Sequence, residues 1–214
     1  IKDLISLSGL ASFYYLAVEK RSDIFKKLGN RTSNTLDSSI ENNQFIAKEI
    51  LKGGYILFFR HAERDKWIDV QMYDAIESDL HNKGQNGHRF AENEYFANAV
   101  CLNERGKIQA RAMREVILHS KLPIGYVESS PSCRSRQTAD LVFGGYDKLN
   151  QKLVHKGPYY ENINERNKYL KKYLLNLPIK KNTNTIVSAH NGVISSDLFK
   201  NVNAYLELEE GGFY

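Results

Sequence analysis

Five apolar residues, Tyr55-Ile56-Leu57-Phe58-Phe59, stand between the glycine pair Gly53-Gly54 and the sequence Arg60-His61-Ala62-Glu63-Arg64. A short, aromatic-rich apolar run bounded by glycine predicts a strand buried on both faces. A strand of that kind belongs in a sheet covered by helices on both sides. Its carboxyl end is then Arg60-His61. Ligands of open α/β sheets bind beyond the carboxyl ends of the strands, so two guanidiniums and an imidazole placed there predict an oxyanion site, with phosphate as the expected ligand. The rival reading is a solvated strand-to-loop junction, and the rest of the chain speaks against it.

The pattern recurs. Thr185-Ile186-Val187-Ser188-Ala189-His190 is a second buried strand ending on a histidine, followed by Asn191-Gly192 and a helix through Ile194 and Leu198. Between the two lie a helix opened by Leu102-Asn103-Glu104-Arg105-Gly106, with Ile108, Ala112, Val116 and Ile117 as its expected apolar stripe, and closed by Leu122-Pro123, then a strand over 126–130. Pro131 stands where a first helical residue would, ahead of a helix that runs to Phe143 and stops at Gly144-Gly145. Arg134 falls in the first turn of that helix, where free N–H groups and the dipole favour an anion. Upstream, Ser38 is read as the cap of a helix carrying Ile40, Phe45, Ile46, Ile50 and Leu51. Downstream come a short strand near Leu153-Val154, a helix with Tyr169, Leu170, Tyr173 and Leu174, a last strand at 204–208 and a hairpin at 211–214. Strand and helix in alternation predict a three-layer α/β sandwich, a mainly parallel central sheet with helices on both faces.

A chain of 214 residues holds one such domain and is too short for two of ordinary size. Its formal charge of +5 suits an anionic substrate. Without a basic helix face, zinc-finger spacing or aromatic RNA-binding motif, nucleic acid is not an expected partner. Leu4 to Val18 is a mostly apolar run shorter than a usual spanning helix, and the chain opens on Ile1. Two readings of it stand level: a signal-anchor remnant, which would be the one link to a membrane, or an amphipathic helix packed on the domain. Residues 22–37 are polar and turn-rich, so 1–37 is read as an N-terminal helix and linker, and 38–214 as the domain, closing inside the expected hairpin. An insertion at about 65–100 has no sustained period and is read as a functional segment beside the site, with His81 and His88 as solvent-exposed loop residues. Cys101 and Cys133, lacking CxxC or metal-ligand spacing, are read as two ordinary thiols in preference to a disulfide.

The constellation defines a chemistry. Arg60, His61 and Arg64 from one strand end, Arg134 beyond a second and His190 from a third become neighbours in a parallel sheet, and three arginines match the charge and forked geometry of a phosphoryl group. With no Walker-type Gly-Lys-Ser and no metal-ligand cluster in the sequence, no metal or other cofactor is expected. Metal-free phosphoryl transfer needs a nucleophile active near neutral pH, which a neutral imidazole provides. A second, protonated imidazole would stabilise charge on the equatorial oxygens. The leaving alcohol needs a proton from a carboxyl group, for which the candidates are Glu161, Glu165 and, third, Glu63.

Four segments, Phe59-Arg60-His61-Ala62-Glu63-Arg64, Leu102-Asn103-Glu104-Arg105-Gly106, Ser129 through Ala139, and Val187-Ser188-Ala189-His190-Asn191-Gly192, together resemble the histidine phosphatase superfamily with its phosphoglycerate mutase-like fold, and stand in that family's order. The resemblance spans about residues 50 to 208. It implies His61 as the phosphorylated nucleophile, Arg60, Arg64, Arg134 and His190 as the phosphate pocket, and Glu161 as the general acid. It further implies a metal-independent phosphatase acting on a small phosphorylated substrate. Arg-His-Ala replaces the usual Arg-His-Gly, and Glu63-Arg64-Asp65 replaces residues typical of mutases, which speaks against mutase activity. Arg-His-Ala-Glu-Arg after an apolar N-terminal run looks closer to bacterial envelope members of the lipopolysaccharide core heptose phosphatase type, implying a sugar phosphate substrate and a periplasmic or envelope location.

Overall fold

A computed structural model describes residues 37–65, 100–154, 163–191, 193 and 208–213. The N-terminal apolar run, the linker, most of the insertion with His81 and His88, Glu161, and the helix expected beyond Gly192 lie outside these residues. In chain order the elements are α1 (Asp37–Lys52), β1 (Ile56–Arg60), α2 (Glu104–Ser120), β2 (Ile124–Ser129), α3 (Cys133–Phe143), β3 (Lys148–Leu149), a 3-10 turn (Gln151–Leu153), α4 (Ile163–Asn176) and β4 (Asn184–Ala189). Among the described residues the sheet has four strands, all parallel, in the order β1-β4-β2-β3.

The strands alternate their burial between two cores, as the period of two demands. Leu57 and Phe59 of β1, Val127 of β2 and Ile186 of β4 face one core with Ile46 and Ile50 of α1, Ala110, Met113 and Ile117 of α2, and Ala139 and Val142 of α3. Phe58, Val187 and Ala189 face the other, with Leu170 of α4, Leu153 and Leu177. Helices therefore cover both faces, and the expected three-layer α/β sandwich is the observed architecture. Phe59 is fully buried. Its ring stacks on Phe213 at 4.8 Å and meets Phe143 edge-on at 4.9 Å. Such pairs add about 0.5–1.5 kcal/mol each beyond their area.

At the amino end of the sheet a single buried side chain ties three segments. Asn184 Nδ2 donates to the carbonyls of Ile50 (2.8 Å) and Pro123 (3.1 Å), while its Oδ1 accepts from Tyr55 N–H. Gly53, with φ +77°, makes the turn from α1 into β1, and a side chain there would collide with the backbone of Asn182. At the carboxyl end, residues 208–213 close over β1. Arg60 N–H donates to Gly212 O, and Gly211 N–H to His61 O at 2.9 Å. Phe213 forms an antiparallel bridge with Phe59.

Four expectations are corrected. The short strand expected near Leu153-Val154 lies earlier, at Lys148–Leu149; Asn150 then accepts a bond from Lys152 N–H and turns 151–153 into a 3-10 segment. Pro131 is not the first helical residue: α3 begins at Cys133, and the Pro131 carbonyl is used to accept from Arg136 Nε at 2.8 Å. Leu208, expected in a strand, instead exchanges two hydrogen bonds with the Asn191 side chain. The cysteines are not thiols but a disulfide, Cys101 to Cys133, with Cα atoms 4.9 Å apart. Spacing could not reveal it, because the two meet only when the segment before α2 packs against the start of α3. Among the described residues no helix is long and apolar enough to cross a membrane.

Candidate active site

Strand register decides which side chains meet. Arg60 of β1 pairs with Ala189 of β4, so the next residues, His61 and His190, emerge side by side from adjacent strands. Their ring centroids are 5.3 Å apart, with planes at 60°, and His61 N–H donates to Ala189 O. On the other flank of β4, Ser129 pairs with Ser188, which brings the turn Ser130-Pro131-Ser132 and the first turn of α3 against His190.

His61 is buried, with Nδ1 2.7 Å from the carbonyl of Ala62. A carbonyl only accepts, so Nδ1 carries the proton and donates it, and the lone pair resides on Nε2. Burial holds the His61 pKa well below 6.5, and the charge of Arg134, then those of Arg60 and Arg64, push it the same way against the opposing bond to Ala62. The ring is thus neutral at physiological pH, with a nucleophilic nitrogen beside three guanidiniums.

Arg134 is buried in the first turn of α3, and its Nη1 donates to Val100 O at 3.5 Å. The disulfide joins the neighbours of both residues, Cys101 and Cys133, so the start of α3 is pinned twice to the same segment. Arg60 lies at the end of β1, where Nη1 donates to Leu208 O at 2.5 Å and Nη2 pairs with Glu210 at 3.3 Å. Arg64 donates to the carbonyl of Asp65.

The loop carrying Ala62 to Asp65 is held by α2. Asn103 caps that helix by accepting from Gly106 N–H (2.7 Å), and its Nδ2 donates to Glu63 and Asp65. Gly106 packs on the loop backbone, where a Cβ would lie 2.0 Å from Glu63 O. Ala62 N–H donates to Thr138 Oγ1, and Glu63 N–H to Gln109.

The structure therefore brings together His61, His190 and Arg134, with Arg60 and Arg64 near enough to act on the His61 charge. Among the carboxylates, Glu63 is engaged with Arg105 (2.5 Å) and Asn103, and Glu165 is exposed in the first turn of α4. Glu161 lies outside the described residues. Sequence reasoning missed Ser130 and Ser135, whose hydroxyls are 3.0 and 3.3 Å from His190 Nε2, and Glu210, the partner of Arg60. The serines sit in a recognisable motif, but no spacing tells which of its hydroxyls turn toward a histidine on another strand. No group of three or more potential ligands among the described residues could hold a metal ion.

No family model and no curated protein matches this chain. Solved structures do. The protein histidine phosphatase SixA complexed with tungstate is 16% identical, over 74% of this chain and 84% of that one, with a TM-score of 0.44. A protein described as a phosphohistidine phosphatase SixA, from Agrobacterium tumefaciens, is also 16% identical, over 67% and 73%, with a TM-score of 0.40. The product of an open reading frame of Mycobacterium tuberculosis is 15% identical, over 64% and 74%, with a TM-score of 0.40.

Proposed function

We propose that this chain is a metal-independent phosphomonoesterase working through a phosphohistidine on His61. The observation that carries the reading is the state of His61: buried, tied through Nδ1 to Ala62 O, kept neutral by its surroundings and set 5.3 Å from a second buried imidazole. A neutral nitrogen nucleophile among guanidiniums suits attack on a phosphate dianion, whose charge the arginines offset.

In the first step Nε2 of His61 forms a bond to phosphorus while the bond from phosphorus to the ester oxygen breaks. The departing oxygen takes a proton from Glu161, the proposed general acid. In the second step a water oxygen attacks phosphorus, its proton passes to Glu161, and the P–N bond breaks, returning the electron pair to Nε2. Arg134, Arg64 and Arg60 hold the phosphoryl oxygens, and His190 stabilises the charge that builds on them. The substrate is a small phosphorylated molecule, proposed to be a sugar phosphate on the likeness of Arg60-His61-Ala62-Glu63-Arg64 to envelope heptose phosphatases. The Cys101–Cys133 disulfide, a bond that persists in oxidising compartments, supports an envelope location.

The test is turnover of p-nitrophenyl phosphate in EDTA, with an alkaline quench and mapping of any acid-labile phosphoryl group. Turnover with phosphate trapped on His61, lost in His61→Ala, is expected. Binding without turnover or adduct would make the chain a phosphate-binding module, and phosphate passed to an added alcohol in place of water would make it a phosphotransferase.

A further inference from the structure

His190 is held through one ring nitrogen by two hydroxyls that differ in what they can offer. Ser130 follows β2, is fully buried, and lies with its Oγ 3.0 Å from His190 Nε2. That Oγ also accepts from Ser132 N–H at 3.3 Å. Ser135, fully buried in the first turn of α3, places its Oγ 3.3 Å from the same Nε2, and donates to Ala189 O at 3.4 Å. Both serines are themselves fixed by the backbone: Ser130 N–H donates to Ser188 O, and the Ser135 carbonyl accepts from Ser188 Oγ.

A hydroxyl has one hydrogen and two acceptor lone pairs. Ser130 receives the Ser132 N–H on one lone pair, which leaves its hydrogen for Nε2 of a neutral imidazole. Ser135 has its hydrogen on Ala189 O, which leaves a lone pair for the Nε2–H of an imidazolium. We infer that Ser130 is a positioning residue that holds neutral His190 as the Nδ1–H tautomer, with Ser135 taking over the tether when Nε2 is protonated. Nδ1 then carries a proton in both charge states and stays a donor throughout a reaction in which the neighbouring phosphoryl group changes its charge. In Ser130→Ala the Nε2 side of the ring keeps Ser135, the hydroxyl suited to the imidazolium, and loses the hydroxyl suited to the neutral form, so the tautomer preference that Ser130 imposes is lost.

The catalytic consequence rests on the phosphatase reading, but the tautomer does not, so two measurements separate them. Long-range 1H–15N correlation spectra of the intact protein with labelled histidine are expected to show the neutral His190 ring with the proton on Nδ1. Ser130→Ala should shift that pattern toward a mixture and raise the His190 pKa, and Ser130→Thr, which keeps the hydroxyl, should restore it. With p-nitrophenyl phosphate, Ser130→Ala should lower kcat roughly tenfold or more, in line with loss of an aligned donor. It should also displace the alkaline limb of the pH profile upward, with Ser130→Thr again recovering both. A neutral His190 protonated on Nε2, or nitrogen shifts unchanged in folded Ser130→Ala, would overturn the inference whether or not the protein turns over. Absence of turnover in the parent protein, with the tautomer as stated, would refute the phosphatase reading and leave the assignment of Ser130 standing.

Discussion

Removing the Cys101–Cys133 disulfide should destabilise the protein and loosen Arg134 together. The bridge closes a loop with a sequence separation of 32. In the chain-entropy account a loop of that length restricts the unfolded chain by roughly 12 cal/mol/K, or about 3.7 kcal/mol at 25 °C. For a chain of this size 1 kcal/mol moves Tm by about 2–4 °C, so the expected fall is roughly 7–15 °C. Both sulfurs are buried, so Cys101→Ala/Cys133→Ala also removes packing, and the cleaner comparison is the parent protein refolded with and without reductant. Differential scanning calorimetry reads the stability, and KM for a phosphate ester reads the site. Cys133 precedes Arg134 and Cys101 follows Val100, whose carbonyl accepts from Arg134, so reduction should raise KM more than it lowers kcat. Melting temperatures of the two forms within about 2 °C, a difference under 1 kcal/mol by the same conversion, would refute the reasoning. It would mean that the reduced unfolded chain already holds these segments together through residual structure, so that the bond removes little further entropy from it.

Arg134→Ala should lower kcat/KM for p-nitrophenyl phosphate by about 10²–10³-fold, the usual loss for one buried donor to a charged transition state, and should raise the His61 pKa, because that guanidinium is the first charge pushing it down. A displaced acid limb in the kcat/KM profile reports the second effect, and an unchanged limb would remove Arg134 from the electrostatics of His61. His61 also predicts a pH dependence of stability. Its folded pKa lies below the ordinary 6.5, so between the two values the unfolded chain binds the extra proton. Its contribution is therefore fully present above about 6.5 and is lost as pH falls toward the folded pKa, by up to about 1.4 kcal/mol per pH unit. Urea titrations from pH 5 to 8 should show the parent protein losing stability on acidification relative to His61→Asn, and parallel curves would count against a depressed pKa.

The layers were legible because they rest on periodicity. Short runs rich in apolar and β-branched residues over Ile56–Phe59 and Thr185–Ala189 read as strands covered on both faces, and both are. The helix at α2 was legible but its face was not: of the expected stripe Ile108, Ala112, Val116 and Ile117 only Ile117 is buried and Ile108 is exposed, while Ala110 and Met113 supply the rest of the buried face. Arg60, His61, Arg134 and His190 were legible as candidates because each follows a strand or opens a helix, positions that local pattern locates. Glu128 shows the limit of such reading. A carboxylate one residue from the end of a strand gives no sign that it is almost fully buried and accepts from the Tyr126 hydroxyl.

What the chain alone determined was which residues form strands and helices and which polar groups stand at their ends, since those follow from spacing along a few turns of backbone. Pairings between segments far apart were decided only by the tertiary structure: the register of Arg60 against Ala189 that sets the two imidazoles side by side, the serines on His190 and the bond between Cys101 and Cys133. The physical reason is that each depends on a distance of a few ångströms between groups separated by tens of residues or more, and no local preference encodes that distance.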